Sequence, residues 1–138
     1  MKGVFVDTEI RVISIICVLL VFHFLFDFVF QERFIAKNKH RDFLCLLFHG
    51  MMYSTGLLIA CLFIKYFSYQ PLDTAPVFLF VFINSISHMI IDGFTSRRYA
   101  KLAPSIGRDK VEYKIVVNFG LDQALHTILL AGTSLLIV

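Results

Sequence analysis

Residues 21–34 read VFHFLFDFVFQERF, and this stretch decides the class of the whole chain. His23 and Asp27 stand one helical turn apart in an apolar run that reaches back to Val12 and closes on Gln31-Glu32-Arg33. A run of about 18 or more apolar residues reads as a membrane-spanning helix. Ionisable groups are costly in hydrocarbon and by default mark a functional site. Three further runs have spanning length, so the expected spans are approximately 12–31, 43–66, 75–92 and 115–138. A soluble bundle would need polar faces on these helices, and they have almost none. The expected fold is all-α, an integral membrane bundle of four transmembrane helices forming a single domain, 1–138.

Composition agrees. Hydrophobic residues make up 58% of the chain and mean hydropathy is +0.78, outside the range of ordinary soluble domains. The first run does not read as a cleaved signal. Its leading segment mixes Lys2 and Arg11 with Asp7 and Glu9, it is long, and no small-x-small site follows. Cys17, Cys45 and Cys61 all lie in apolar runs, and an odd number there argues against a disulfide framework. Cys45 precedes His49 by one turn; it could face the same site, or serve as a small packing residue. The sixteen Phe read as lipid-facing and packing residues.

The placement of the bases orients the bundle. Segments 32–42 and 93–114 hold ten of the thirteen Lys and Arg, against Lys2, Arg11 and Lys65 for the remainder. The positive-inside rule puts both basic segments in the cytoplasm and both termini outside, in a multi-pass protein of the inner membrane. Lys65, Tyr66 and Tyr69 are expected to anchor the outer end of the second helix, with Pro71 and Pro76 in the outer turn. Pro104 and Gly107 mark a turn in the long basic segment.

Four of the five His (23, 49, 88 and 126) and three of the ten acids (Asp27, Asp92 and Asp122) fall in spanning runs. The pairs 23/27, 88/92 and 122/126 each put an imidazole and a carboxylate on one helix face. Asn84 and Asn118 extend two of these faces by a turn. The first and third spans run inward and read His then Asp; the fourth runs outward and reads Asp then His. In all three the acid therefore lies nearer the cytoplasm, with His about 6 Å deeper. His49, which has no acidic partner at i,i+4, falls near the same layer. An internal repeat accompanies the pattern. His23-x-x-x-Asp27 followed by Arg33-Phe34 matches His88-x-x-x-Asp92 followed by Arg98-Tyr99, and each is succeeded by a helix bearing one His. Two parallel helix-hairpin repeats are the expected architecture.

Imidazole and carboxylate together suit a divalent transition metal such as Zn, Mn or Fe and exclude an all-oxygen site. Helical bundles build metal sites from such inward-pointing pairs. The candidate ligands are His23, His49, His88, Asp122 and His126. Asp27 and Asp92, nearest the mouth, are the candidate general bases. Gln31, Asn84, Asn118 and Gln123 are supporting candidates, and Arg33 and Arg98 could grip a phosphate or lipid head group. Seven His and Asp exceed one tetrahedral site, so some support others or two metals share the cluster. The plainer alternatives are interhelical hydrogen-bonding glue for the cluster and topology determinants for the bases.

The segments HFLFDFVFQ, LLFHGMMY, SHMIIDG and LDQALH resemble the small bacterial and phage membrane proteins filed as domain of unknown function 3307, over nearly the whole chain. The resemblance implies that His23, Asp27, Gln31, His49, His88, Asp92, Asp122, Gln123 and His126 are that family's polar intramembrane positions. A looser similarity points to inner-membrane proteins described as metal-dependent hydrolases, although the Asp-before-His order of the fourth span departs from their pattern.

Three functions follow as expectations. The first is a metal-dependent hydrolase acting on a lipid or phosphoester at the cytoplasmic face. The second is a divalent cation or proton transporter, which the apolar outer halves of the spans disfavour within one protomer but a homo-oligomer could permit. The third is a non-enzymatic accessory protein whose cluster fixes helix packing. The bilayer and a lipid or phosphate-bearing substrate are the expected partners, and no nucleic acid is.

Overall fold

A computed structural model describes residues 2–67, 72–105 and 111–138, with side chains described for 8–67, 72–104 and 112–138. Tyr69 and Pro71 of the expected outer turn, and Gly107, Arg108 and Lys110 of the basic segment, lie outside the described residues. The chain forms α1 (Lys2–Phe24), a π-helical turn (Leu25–Val29), α2 (Arg33–Asn38), α3 (Phe43–Phe67), α4 (Thr74–Leu102), a 3-10 turn (Ala103–Ser105) and α5 (Val111–Ser134). Four helical segments are long and apolar enough to cross a membrane: Thr8–Val29, Phe43–Phe67, Thr74–Leu102 and Glu112–Ser134. The protein is thus an all-helical, multi-pass membrane bundle.

The helices close a ring in which α1 packs on α3, α3 on α4, α4 on α5, and α5 back on α1. Each helix buries a stripe at four-residue spacing, the face that 3.6 residues per turn brings into line. The stripes are Ile15-Leu19-His23-Asp27, His49-Tyr53-Leu57, Phe80-Asn84-His88-Asp92 and, on α5, Asn118, His126, Leu130 and Ser134. One half of the interior is therefore apolar, with Leu19, Leu57, Phe80 and Leu130 fully buried, and the other half is lined by imidazole and carboxylate. Phenylalanines such as Phe24, Phe48, Phe82 and Phe119 face outward, as a lipid-exposed surface requires.

Several boundaries differ from the sequence-based expectation, the first span covering Thr8–Val29 and the last starting at Glu112. The third span does not end near Gly93 but runs ten residues further on α4, which carries Arg97, Arg98 and Lys101 on a helix rather than a loop. Residues 94–102 contain no Pro, and Gly93 is accommodated because it packs closely on Leu46, 3.3 Å from where a Cβ would stand. Segment 32–42 folds into α2, which packs on α3. Asn38 secures that short helix by donating to Phe34 O (2.8 Å) while its Oδ1 accepts from Arg41. The last helix ends at Ser134, and the residues after it turn back onto Thr133 O and Ser134 O.

Within the first span, the Phe30 N–H reaches Leu25 O (2.8 Å), a bond one residue longer than the α-helical one. The wider turn is centred on Asp27 and is buttressed by α3. A Cβ at Gly56 would overlap the Phe26 ring close to its own Cβ, where the side chain has little freedom to move. Gly56→Ala is expected to destabilise the bundle by about 1–3 kcal/mol, the usual cost of overpacking. Gly50→Ala, opposed by the flexible Met89 side chain, should cost less. Thermal unfolding of the two variants in the same detergent tests the ranking.

Candidate metal centre

The buried stripes, with the half-buried Asp122 of α5, bring seven ionisable groups together from the four spans. Ligating atoms of Asp27, His49, His88 and Asp92, all buried, lie within 4.8 Å of one another. His49 Nε2 stands 3.0 Å from Asp27 Oδ1, 2.6 Å from Asp92 Oδ2 and 3.0 Å from His88 Nε2. His88 Nε2 is 3.5 Å from Asp27 Oδ1 and 3.6 Å from Asp92 Oδ2. Bond lengths near 2.0–2.1 Å give a tetrahedral site donor–donor edges of about 3.3 Å. The observed edges bracket that value, and the donor set is one that Zn, Mn or Fe accepts. These four side chains fit a divalent transition metal.

The orientation of His49 supports the fit. With its amide placed so that both ends are satisfied, Gln31 donates to Asp27 O (3.2 Å) and its carbonyl accepts from His49 Nδ1 (3.0 Å) and Lys39 Nζ (3.3 Å). A proton on Nδ1 leaves the Nε2 lone pair facing two carboxylate oxygens and a second imidazole. Acceptors converge on one point there, and a cation or a proton between them is what makes the arrangement stable. In this structure the Lys39 ammonium supplies part of that charge, 2.6 Å from Asp92 Oδ2 and 3.3 Å from His49 Nε2.

The remaining sequence candidates occupy distinct places. His23 and His126 lie behind the first four residues, with Asp27 shared in a second group of three and Asp92, Asp122 and His126 forming a third. Asp122 accepts from the Thr95 hydroxyl (2.6 Å) and from Gln123 Nε2 (2.8 Å). Asn118, one turn before Asp122, donates to Thr95 O (3.1 Å), the backbone of the residue whose hydroxyl binds that acid. Asn84 turns away from the cluster and clamps α4 to α5 through Thr133 Oγ1 (2.8 Å). Arg33 and Arg98 are exposed and do not reach the cluster; Arg98 instead lines a separate groove with Arg97, Lys101, Phe43, Leu46 and Met89. The Cys45 thiol is directed to Asp42 Oδ2 (3.6 Å), not to His49.

Three participants escaped the sequence reading, among them Thr95, whose hydroxyl binds Asp122. Lys39 lay among loop bases, and nothing in its spacing says that α2 would aim it inward. Tyr53 stacks on His88, with centroids 3.8 Å apart and planes 7° apart, and meets His23 edge-on. Its place one turn beyond His49, on the same face, was the available signal.

A cavity of about 380 Å³ adjoins the carboxylate side of the cluster. Asp27, Asp92, Asp122, Gln31 and Lys39 form its polar side, and Phe28, Ala36, Ile115, Val116 and Phe119 its apolar side. Phe28 and Phe119 meet edge to face, 5.9 Å between centroids, where the first span passes α5.

Residues 15–138, nearly the whole chain, match the family described as Protein of unknown function (DUF3307). No curated protein and no solved structure matches the chain.

Proposed function

We propose that the chain, which belongs to the DUF3307 family, is a metal-dependent membrane hydrolase acting on a lipid or phosphoester substrate. The observation that carries this reading is the opening of the four-residue cluster onto an amphipathic cavity. Glue between helices needs no cavity, whereas a lipid substrate needs one with an apolar wall beside the reacting groups. His49, His88, Asp27 and Asp92 would hold the ion, so the two acids act as ligands and not as the free base their position near the mouth first implied. When bound, such an ion polarises the scissile bond and supplies water as a nucleophile at neutral pH. Gln31 holds His49 in the ligating tautomer, and Thr95 and Gln123 hold Asp122 at the cavity wall, where it can accept a proton from water. Lys39, which lines the cavity beside Asp92, would meet an anionic group of the substrate there.

The placement in the bilayer follows from charge. The bases of α2 and of the α4 extension gather in segments 32–42 and 93–114, so these belong in the cytoplasm of an inner-membrane protein with both termini outside. The cluster then lies toward the cytoplasmic leaflet. Among the described residues the interior of the other half is formed mainly by Ile15, Leu19, Leu57, Phe80 and Leu130 and carries no charged group, which weighs against transport through one protomer.

Elemental analysis of the purified chain beside His88→Ala tests the proposal. Wild type is expected to carry near-stoichiometric Zn, Mn or Fe and to hydrolyse members of a phospholipid and lipid-phosphate panel in a chelator-sensitive way. His88→Ala should lose both properties. Absence of bound metal in wild type, after dialysis against each of the three ions, would refute it.

A further inference from the structure

Behind the four-residue cluster, toward the apolar half, lie two imidazoles that the reading above does not use. His23 is 4% exposed and His126 2%. No ring nitrogen of either one has a partner at hydrogen-bond geometry, although the Gln123 side chain adjoins His23, and the rings stand 5.5 Å apart between centroids at a 57° tilt. An unpartnered buried polar atom is destabilising, so four in one place call for a ligand between them. The carboxylate nearest to His23 is Asp27, and its two oxygens are divided. Oδ1 faces His49 (3.0 Å) and His88 (3.5 Å), while Oδ2 faces His23 Nε2 (3.8 Å). Ligating atoms of His23, Asp27 and His126 again fall within 4.8 Å of one another.

We propose that His23, His126 and Asp27 Oδ2 bind a second divalent transition-metal ion, with Asp27 bridging it to the first. Two imidazoles and one carboxylate form a three-residue set that leaves a coordination position open, as catalytic sites do. Paired hydrolytic ions stand about 3.5–4 Å apart, a separation that one bridging carboxylate spans. The rival group of Asp92, Asp122 and His126 is less suited. Asp92 Oδ2 is already engaged by His49 and Lys39, and Asp122 already accepts from Thr95 and Gln123. Asp122, 3.9 Å from His126 Nδ1, is placed to orient that ring instead. The inference rests on the metal reading of the first cluster and adds to it the nuclearity and the role of Asp27.

The full chain in detergent, loaded with Mn(II) and freed of excess, separates the outcomes by metal stoichiometry and electron paramagnetic resonance. Wild type is expected to bind two Mn(II) per chain with a spin-coupled spectrum. His23→Ala and His126→Asn should each retain one Mn(II), with an uncoupled spectrum, and Asp122→Asn should still bind two. One Mn(II) in wild type, unaltered by His23→Ala or His126→Asn, overturns the second site and leaves the first intact. No Mn(II) in wild type, with none for Zn(II) or Fe(II) either, removes both. Should the single variants fail to fold, the wild-type stoichiometry and coupling decide alone.

Discussion

His49→Ala should weaken metal binding by more than 100-fold and erase the gain in thermal stability that metal gives the wild type. The side chain is fully buried and is the one group within 3.0 Å of Asp27, Asp92 and His88 together. Changing a residue that merely orients a ligand costs about 10–100-fold in metal affinity. Removing a direct ligand should exceed that. A ligand at 100 times its dissociation constant stabilises the folded state by about 2.7 kcal/mol, and this increment should appear in wild type and vanish in the variant. Removing His49 also takes from Asp27 and Asp92 the imidazole closest to both, and breaking such a set costs about 3–5 kcal/mol even without metal. Thermal scans with and without metal separate the two losses. A variant that binds metal normally and melts lower would identify the cluster as packing glue.

Lys39→Met should divide binding from turnover. Methionine keeps most of the length of the side chain and removes its charge. An ammonium is no metal ligand, so metal content should persist, and affinity should rise as a competitor for Asp92 is lost. A hydrogen bond to a charged group is worth about 1.5–3 kcal/mol, which corresponds to about 10–150-fold in kcat/KM. The loss should fall on anionic lipid phosphates and spare uncharged esters. Comparing phosphatidate with diacylglycerol as substrates, alongside metal analysis, reads this out. Equal losses on both, or loss of the metal itself, would show that Lys39 organises the four-residue cluster and does not recognise substrate.

The spanning helices and their inward faces were legible because each depends on one helix at a time. Hydropathy marks the spans, and the i,i+4 spacing of 23/27, 88/92 and 122/126 aligns imidazole with carboxylate whatever the neighbours do. The common order of acid and imidazole along the bundle axis follows from chain direction. What no single helix contains is the partnering across helices. His49, without an acidic neighbour of its own, sits at the centre of the first cluster because α3 packs between the first span and α4. Lys39 enters because α2 folds back onto α3, and Asn84 leaves because Thr133 stands opposite it. The division of the two Asp27 oxygens between His49 and His23 is set where a π-helical turn meets Gly56. The sequence by itself determined which residues face inward, since helical periodicity is local. The tertiary structure decided which of them meet, since packing between distant segments sets every interhelical distance.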